Sequence, residues 1–236
     1  MASNSREAAF YEGGYRQAVF APFKFGVSCF LFVAVTLLAA WVAQHIVVFL
    51  VWGGDSSPLE EVLRKDAWLA ATGMGLAPFS SHAIDAAQGL YQWLFVHSNV
   101  EFIVTATPDS LTSIDRGIQK LFHAVFPAIQ VFFVGTKLYA LRLMLALSAT
   151  PLLAIAYAVG MVDGLVERSI RRYSGGRESS SLYHRAKYLI AGSVGVTTVG
   201  YLCLPLSVSL PSIAMPLAVI TCGLSRVQWK YYKKYL

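Results

Sequence analysis

Five histidines and three cysteines carry most of this chain's potential for metal binding, nucleophilic attack or proton transfer. The histidines stand at 45, 82, 97, 123 and 184. No two are three or four residues apart, the spacing that puts two imidazoles on one helical face, so no metal is expected. Cys29, Cys203 and Cys222 fall in apolar runs, an odd set with no ligand spacing and no disulfide framework, and they read as small apolar fillers. Ser80-Ser81-His82 with Asp85 supplies the residue types of a hydrolytic triad. A nucleophile elbow and an oxyanion-hole motif are missing, and a helix cap explains the string more simply. Neither a P-loop nor a dinucleotide fingerprint occurs, so no cofactor and no catalytic residue are expected, and the chain does not read as an enzyme.

The chemistry that does stand out is recognition of negative charge. Residues 163–187 hold six Lys and Arg. Arg168, Arg171, Arg172 and Arg177 could meet anionic lipid headgroups or an acidic protein face. Asp163, Glu167, Glu178, Tyr183 and His184 share the stretch and complete the candidate contact set. Topology alone would also account for a basic loop. Tyr173 and Tyr183 stand near arginines, but the charges are too few for a base-stacking groove, so direct nucleic-acid binding is not expected.

The segments that position this loop are apolar. Of 236 residues 56% are hydrophobic and only 14% charged, well below the roughly 25% charged of a soluble domain. No Asp, Glu, Lys or Arg lies within 25–52, enough for a first span, since about 20 residues cross the hydrocarbon core. Residues 138–162 supply a second span, its uncharged run at 143–162 interrupted by Pro151, which neighbouring helices can accommodate. Residues 188–225 are again free of Asp, Glu, Lys and Arg but hold Pro205, Pro211 and Pro216. The basic ends of this run predict a hairpin of two spans, 188–205 and 211–229.

Lys and Arg number three before the first span, six within 163–187 and four from Arg226 onwards, thirteen of the nineteen in the chain. The positive-inside rule then puts residues 1–24, 163–187 and the 230–236 tail in the cytoplasm of a bacterial inner membrane. The rival layout makes 117–136 a fifth span and turns the six-charge loop outward, against that asymmetry. The expected fold is all-α: a polytopic membrane protein of about four transmembrane helices, with a helical periplasmic segment at 53–136.

Within that segment, Ser57-Pro58 followed by Glu60 and Glu61 reads as a helix start. Gly73 and Gly75-Leu76-Ala77-Pro78 should end the helix, and Ser81 should cap another bearing Ile84, Leu90, Trp93, Leu94 and His97. A third is expected after Thr107-Pro108-Asp109, with a stripe of Phe122, Val125, Phe126, Ile129, Phe132 and Phe133. That stripe could pack on its neighbours, lie along the outer leaflet, or run directly into the second span.

Inside the spans, small residues recur at four- and five-residue steps: Ala154/Ala158, Ala156/Gly160, and Ala191, Gly195 and Gly200. Such spacings let helix backbones approach closely, within this chain, against a partner or in a homo-oligomer. Ionisable residues in the spans are limited to His45, with Arg142 and Asp163 at span ends, so ion coupling is not supported.

The loop is expected to be ordered. Glu167 and Arg171 form a favourable i,i+4 pair that should carry the helix past Asp163. Gly175-Gly176 permits a reversal, and the serines at 179–181 can cap the next helix. Its string Asp163-Gly164-Leu165-Val166-Glu167-Arg168, with Arg171-Arg172, Gly175-Gly176-Arg177-Glu178-Ser179 and Tyr183-His184-Arg185-Ala186-Lys187, resembles the integrating conjugative element membrane proteins. Members of that family are typically encoded near the conjugative coupling protein. Where family loops carry an acidic residue after the first Arg, this chain has Ser169. The resemblance implies a four-span accessory subunit of type IV secretion and conjugative DNA transfer, contacting the coupling protein or other channel subunits. It carries over no enzymatic residues. The alternative expectations are a regulatory protein, or one that excludes further transfer into its own cell, acting through the periplasmic helices, or else a membrane enzyme using His82, Asp85 or His184.

Overall fold

The computed structural model describes residues 2–72, 80–105, 117, 126–174 and 180–232. Among these residues every regular segment is helical. The first helix, α1 (Ala2–Ile46), loosens into a π-turn at Val47–Val51 and stops where Gly53 and Gly54 take φ of +65° and +90°. Both angles lie in the left-handed region that side chains disfavour, so the glycines supply the reversal into α2 (Ser57–Ala71).

That helix starts where the Ser-Pro pair predicts, but the cap is Asp55. Its carboxylate accepts from the Ser57 N–H at 2.9 Å and the Ser57 hydroxyl at 2.8 Å, and these two bonds hold its pKa below the ordinary carboxylate value. The next helix, α3 (Ser80–Tyr91), ends in a second π-turn at Gln92–Val96, and Asn99, at φ 59°, leads into the short α4 (Val100–Thr105). The expected breakers at 73–79 and the helix start after Asp109 lie outside the described residues, as do the placements of Phe122 and Val125.

Helix α5 (Phe126–Ser148) runs without interruption through the residue-137 boundary expected between external segment and span. The Phe stripe therefore does continue into the second apolar run. The break falls at Ala149 instead, ahead of α6 (Thr150–Tyr173), where Pro151 sits in the first turn. Proline has no N–H to donate and its ring displaces the carbonyl four residues back, which ends one helix and starts the next. The remaining helices are α7 (Ser180–Cys203) and α8 (Leu210–Lys230), joined by a short Pro-containing turn.

Two packing groups result. Along α5, α1 lies antiparallel: the Thr36 and Tyr139 hydroxyls are 2.7 Å apart, Trp41 Nε1 donates to the Thr136 hydroxyl at 3.0 Å, and His45 Nε2 is 3.1 Å from the Ala128 carbonyl oxygen. On α5 too, α2 runs parallel, pairing Glu60 with Gln130 and Asp66 with Arg142. Ala83 and Ala87 of α3 join a core with Ala140, Leu141, Leu145 and Ala149 of the α5 strip. The second group is α6, α7 and α8, with α6 packed almost entirely on α8. Among the described residues three helical stretches are long and apolar enough to cross a membrane: Phe23–Val51, Ala128–Tyr173 across the Ala149 break, and Leu210–Lys230. With its polar first turns and Ser193, Thr197 and Thr198, α7 is not among them.

Candidate functional site

The candidate contact residues are gathered by the way α6 meets α8. Gly160 and Gly164 lie against α8 backbone: a Cβ at Gly160 would collide with the Cys222 carbonyl, and one at Gly164 with that of Arg226. Ser225 seals the contact by donating to the Tyr157 carbonyl at 2.8 Å, and Trp229 Nε1 donates to the Tyr157 hydroxyl at 3.0 Å. Contacts advance together along both chains, so α6 and α8 are parallel, and the antiparallel α7 returns between their ends. Basic residues at the end of α6, the start of α7 and the end of α8 consequently share one end of the bundle.

At that end Asp163 and Glu167 are turned toward α8, with the Asp163 side chain still half exposed to solvent. Arg226 Nε is 3.0 Å from Asp163 Oδ2, Arg226 also donates to Glu167, and Lys230 Nζ lies 2.7 Å from Glu167 Oε2. The expected Glu167–Arg171 pair does not form. The Gly164 contact turns Glu167 toward Arg226 and Lys230, and Arg171 lies instead over the Tyr231 ring at 4.2 Å. Arg168 stands 5.4 Å from the Tyr232 ring centroid, and Tyr232 also packs on Trp229 and on Tyr183 of α7. Tyr183 and His184 make an edge contact at 5.2 Å, with His184 exposed. Arg172, Arg185 and Lys187 are exposed. Arg177 and Glu178 lie outside the described residues, as do Gly175 and Gly176.

The partners of this cluster at the end of α8 and just beyond it, Arg226, Trp229, Lys230, Tyr231 and Tyr232, were not among the expected contact residues, and Arg226 and Lys230 counted only as charges flanking a span. Their signal was the Arg226/Lys230 step of four, matching the Asp163/Glu167 step of four. Of the other small residues, Ala154, Ala158, Ala191 and Gly195 are exposed, Ala156 and Gly200 are half-buried, and a Cβ at Gly195 or Gly200 would meet nothing within 4 Å.

A second charged centre lies at the opposite end of the bundle, and the sequence reading missed half of it. Arg142, expected at a span end, sits in mid-α5 and is buried against Asp66 of α2, each side chain 1% exposed. Arg142 Nε donates to Asp66 at 2.8 Å. Its other nitrogens donate to the carbonyls of Tyr201 at 3.0 Å, Leu206 at 2.6 Å, and Leu204. One guanidinium thus ties α2 and α5 to the α7–α8 turn. Burial pushes the Asp66 carboxyl above its usual pKa, and the Arg142 charge opposes that push.

The residues with catalytic potential do not converge. His82 and Asp85 are both exposed on α3. His97 is engaged by the Gln92 carbonyl at 3.0 Å, and Cys203 by that of Thr36 at 3.9 Å. Among the described residues no three His, Cys, Asp or Glu side chains form a metal-sized group; His123 lies outside them. What is assembled is a cationic, aromatic surface on a closely packed helix pair.

No curated protein and no solved structure matches this chain. One family model does, over residues 57–231, and its description is "IncC plasmid conjugative DNA transfer protein DtrJ-like". That stretch holds α2 through α8 and so both charged centres. By this match over most of its length, the chain belongs to the DtrJ-like family of conjugative DNA transfer proteins.

Proposed function

We propose that this protein is an accessory inner-membrane subunit of a conjugative type IV secretion machine, related to the integrating conjugative element membrane proteins that its loop resembles. It contributes contacts rather than catalysis. In this reading it crosses the membrane four times, with α7 as the further span packed beside α8, and both termini are cytoplasmic. The external segment then holds α2, α3 and α4, and the basic end of α6, α7 and α8 faces the cytoplasm. Its partners are the coupling protein or another channel subunit, together with anionic lipid.

The observation that carries this reading is the basic end itself. Asp163 and Glu167 are neutralised by Arg226 and Lys230. Arg172, Arg185 and Lys187 are left exposed around them. Electrostatic complementarity of this kind chiefly sets partner choice and association rate. A photo-cross-linker at Arg185 in donor cells should capture a secretion subunit, whereas one at exposed Gly89 of α3 should not. Normal DNA transfer from a deletion strain would remove the proposal, and thiol labelling of an Arg185→Cys variant from outside the cell would remove the topology.

A further inference from the structure

The face of α6 turned away from α8 is apolar and uncovered. Ile155, Val159, Val162, Val166 and Ile170 follow one another at three- and four-residue steps, all exposed, and Tyr173 ends the row at 95% exposure. At 1.5 Å per residue this row runs roughly 15 Å past Asp163, the first charge at the basic end. An apolar strip therefore continues into the level where the ion pairs with α8 stand.

Two concavities lie in sequence on that face. A shallow groove of about 520 Å³ is lined by Ala158, Val159, Val162, Asp163 and Val166. Beyond it, a cavity of about 320 Å³ is lined by Ser169, Arg172 and Tyr173. The Asp163 carboxylate at the groove's edge is engaged by Arg226. The Ser169 hydroxyl donates to the Leu165 carbonyl at 3.1 Å. Arg168 and Arg171 lie on tyrosine rings, whereas Arg172 has no partner among the described residues.

We infer that this face of α6 is a binding site for an anionic phospholipid. The acyl chain lies along Val159, Val162 and Val166, and the phosphate is held by Arg172 with the Tyr173 hydroxyl. The occupant must be apolar for three turns and anionic at one end, with its charge where the hydrocarbon gives way to headgroups. A guanidinium suits a phosphate because two N–H groups can donate to two oxygens at once, and basic sites beside membrane helices recognise such headgroups. The inference rests on the proposed membrane orientation and deepens it, by naming the lipid contact of the basic end.

The test uses the purified full chain in nanodiscs of phosphatidylcholine doped with phosphatidylglycerol, with retained lipids read by native mass spectrometry. Phosphatidylglycerol should be retained over phosphatidylcholine. Arg172→Gln should lower that preference about tenfold, the loss of one charge-assisted pair. Val162→Trp, which fills the groove and changes no charge, should lower it too. Arg185→Gln, on α7, should leave it unchanged, and circular dichroism should show unaltered helix in all three variants. Equal retention of the two lipids overturns the site, as does an equal effect of Arg172→Gln and Arg185→Gln. Displacement of lipid by inorganic phosphate would indicate a free-phosphate site, and capture of an acidic peptide by the groove would indicate a protein site; either overturns it. Because no secretion partner is present, failure here leaves the cross-linking test of function standing, and the reverse also holds.

Discussion

Two arginine–carboxylate contacts in this molecule use the same groups to opposite ends. Arg142 and Asp66 are each 1% exposed, whereas Arg226 and Asp163 are 49% and 50% exposed. The first pair has given up water, so every donor must find an acceptor, and one carbonyl at the end of α7 and two of the α7–α8 turn are drawn into the contact. The second keeps its water and is worth little to stability. It neutralises the acids of the basic end and leaves Arg172, Arg185 and Lys187 to face outward. Burial decides which charges build the protein and which remain available to partners.

Removing Arg142 should have the largest effect. Arg142→Ala strands Asp66 and three carbonyls, a loss of about 3–5 kcal/mol for breaking one side of a buried pair. Thermal unfolding in mild detergent, or the amount recovered from membranes, reads it. Arg142→Lys should restore only part, because an ammonium cannot span the carboxylate and the turn as a planar fork does. A variant with wild-type stability would show that the centre is not structural.

The glycine contact should come next. Gly164→Leu forces α6 from the Arg226 backbone and scatters the cluster around Glu167, at a cost of about 1–3 kcal/mol from overpacking. The same change at Gly195, where a Cβ would meet no described atom within 4 Å, should leave stability near wild type. Equal losses at both positions would contradict the α6–α8 pairing. Smaller still is Glu167→Gln, which removes one carboxylate from Arg226 and Lys230 and should move the denaturant midpoint only slightly, as expected for a solvated ion pair. The smallest stability change is expected for Arg172→Gln, whose midpoint should coincide with wild type.

The same contrast explains what could be read in the sequence. Charge-free runs mark apolar helices by themselves, and the extension of α6 past Asp163 follows from local helix-favouring residues. Pairing across the chain leaves no local trace. Asp66 and Arg142 are 76 residues apart, and neither position is unusual alone. Arg142 read as a boundary charge because it begins an uncharged run. Gly164 was legible only as part of a loop string, yet with Gly160 it sets the parallel approach of α6 and α8. Glu167 has a good helical partner in Arg171, and a tertiary contact overrides it once Gly164 brings Arg226 within reach. At the start of α2, Ser57 is held rather than holding for a similar reason: Asp55, two residues earlier, is an anion that both Ser57 donors can reach.

The central claim is that the exposed cations of the basic end work by contact in DNA transfer, apart from any role in folding. The direct measurement is transfer frequency from donors carrying Arg172→Gln, Arg185→Gln and Lys187→Gln together, at matched membrane abundance. Arg168, Arg171, Arg226 and Lys230 remain to hold the orientation, which cysteine labelling can verify. Transfer should fall at least about tenfold, the scale of lost electrostatic complementarity, with unchanged thermal stability. Wild-type transfer from that variant, correctly oriented and equally abundant, would contradict it.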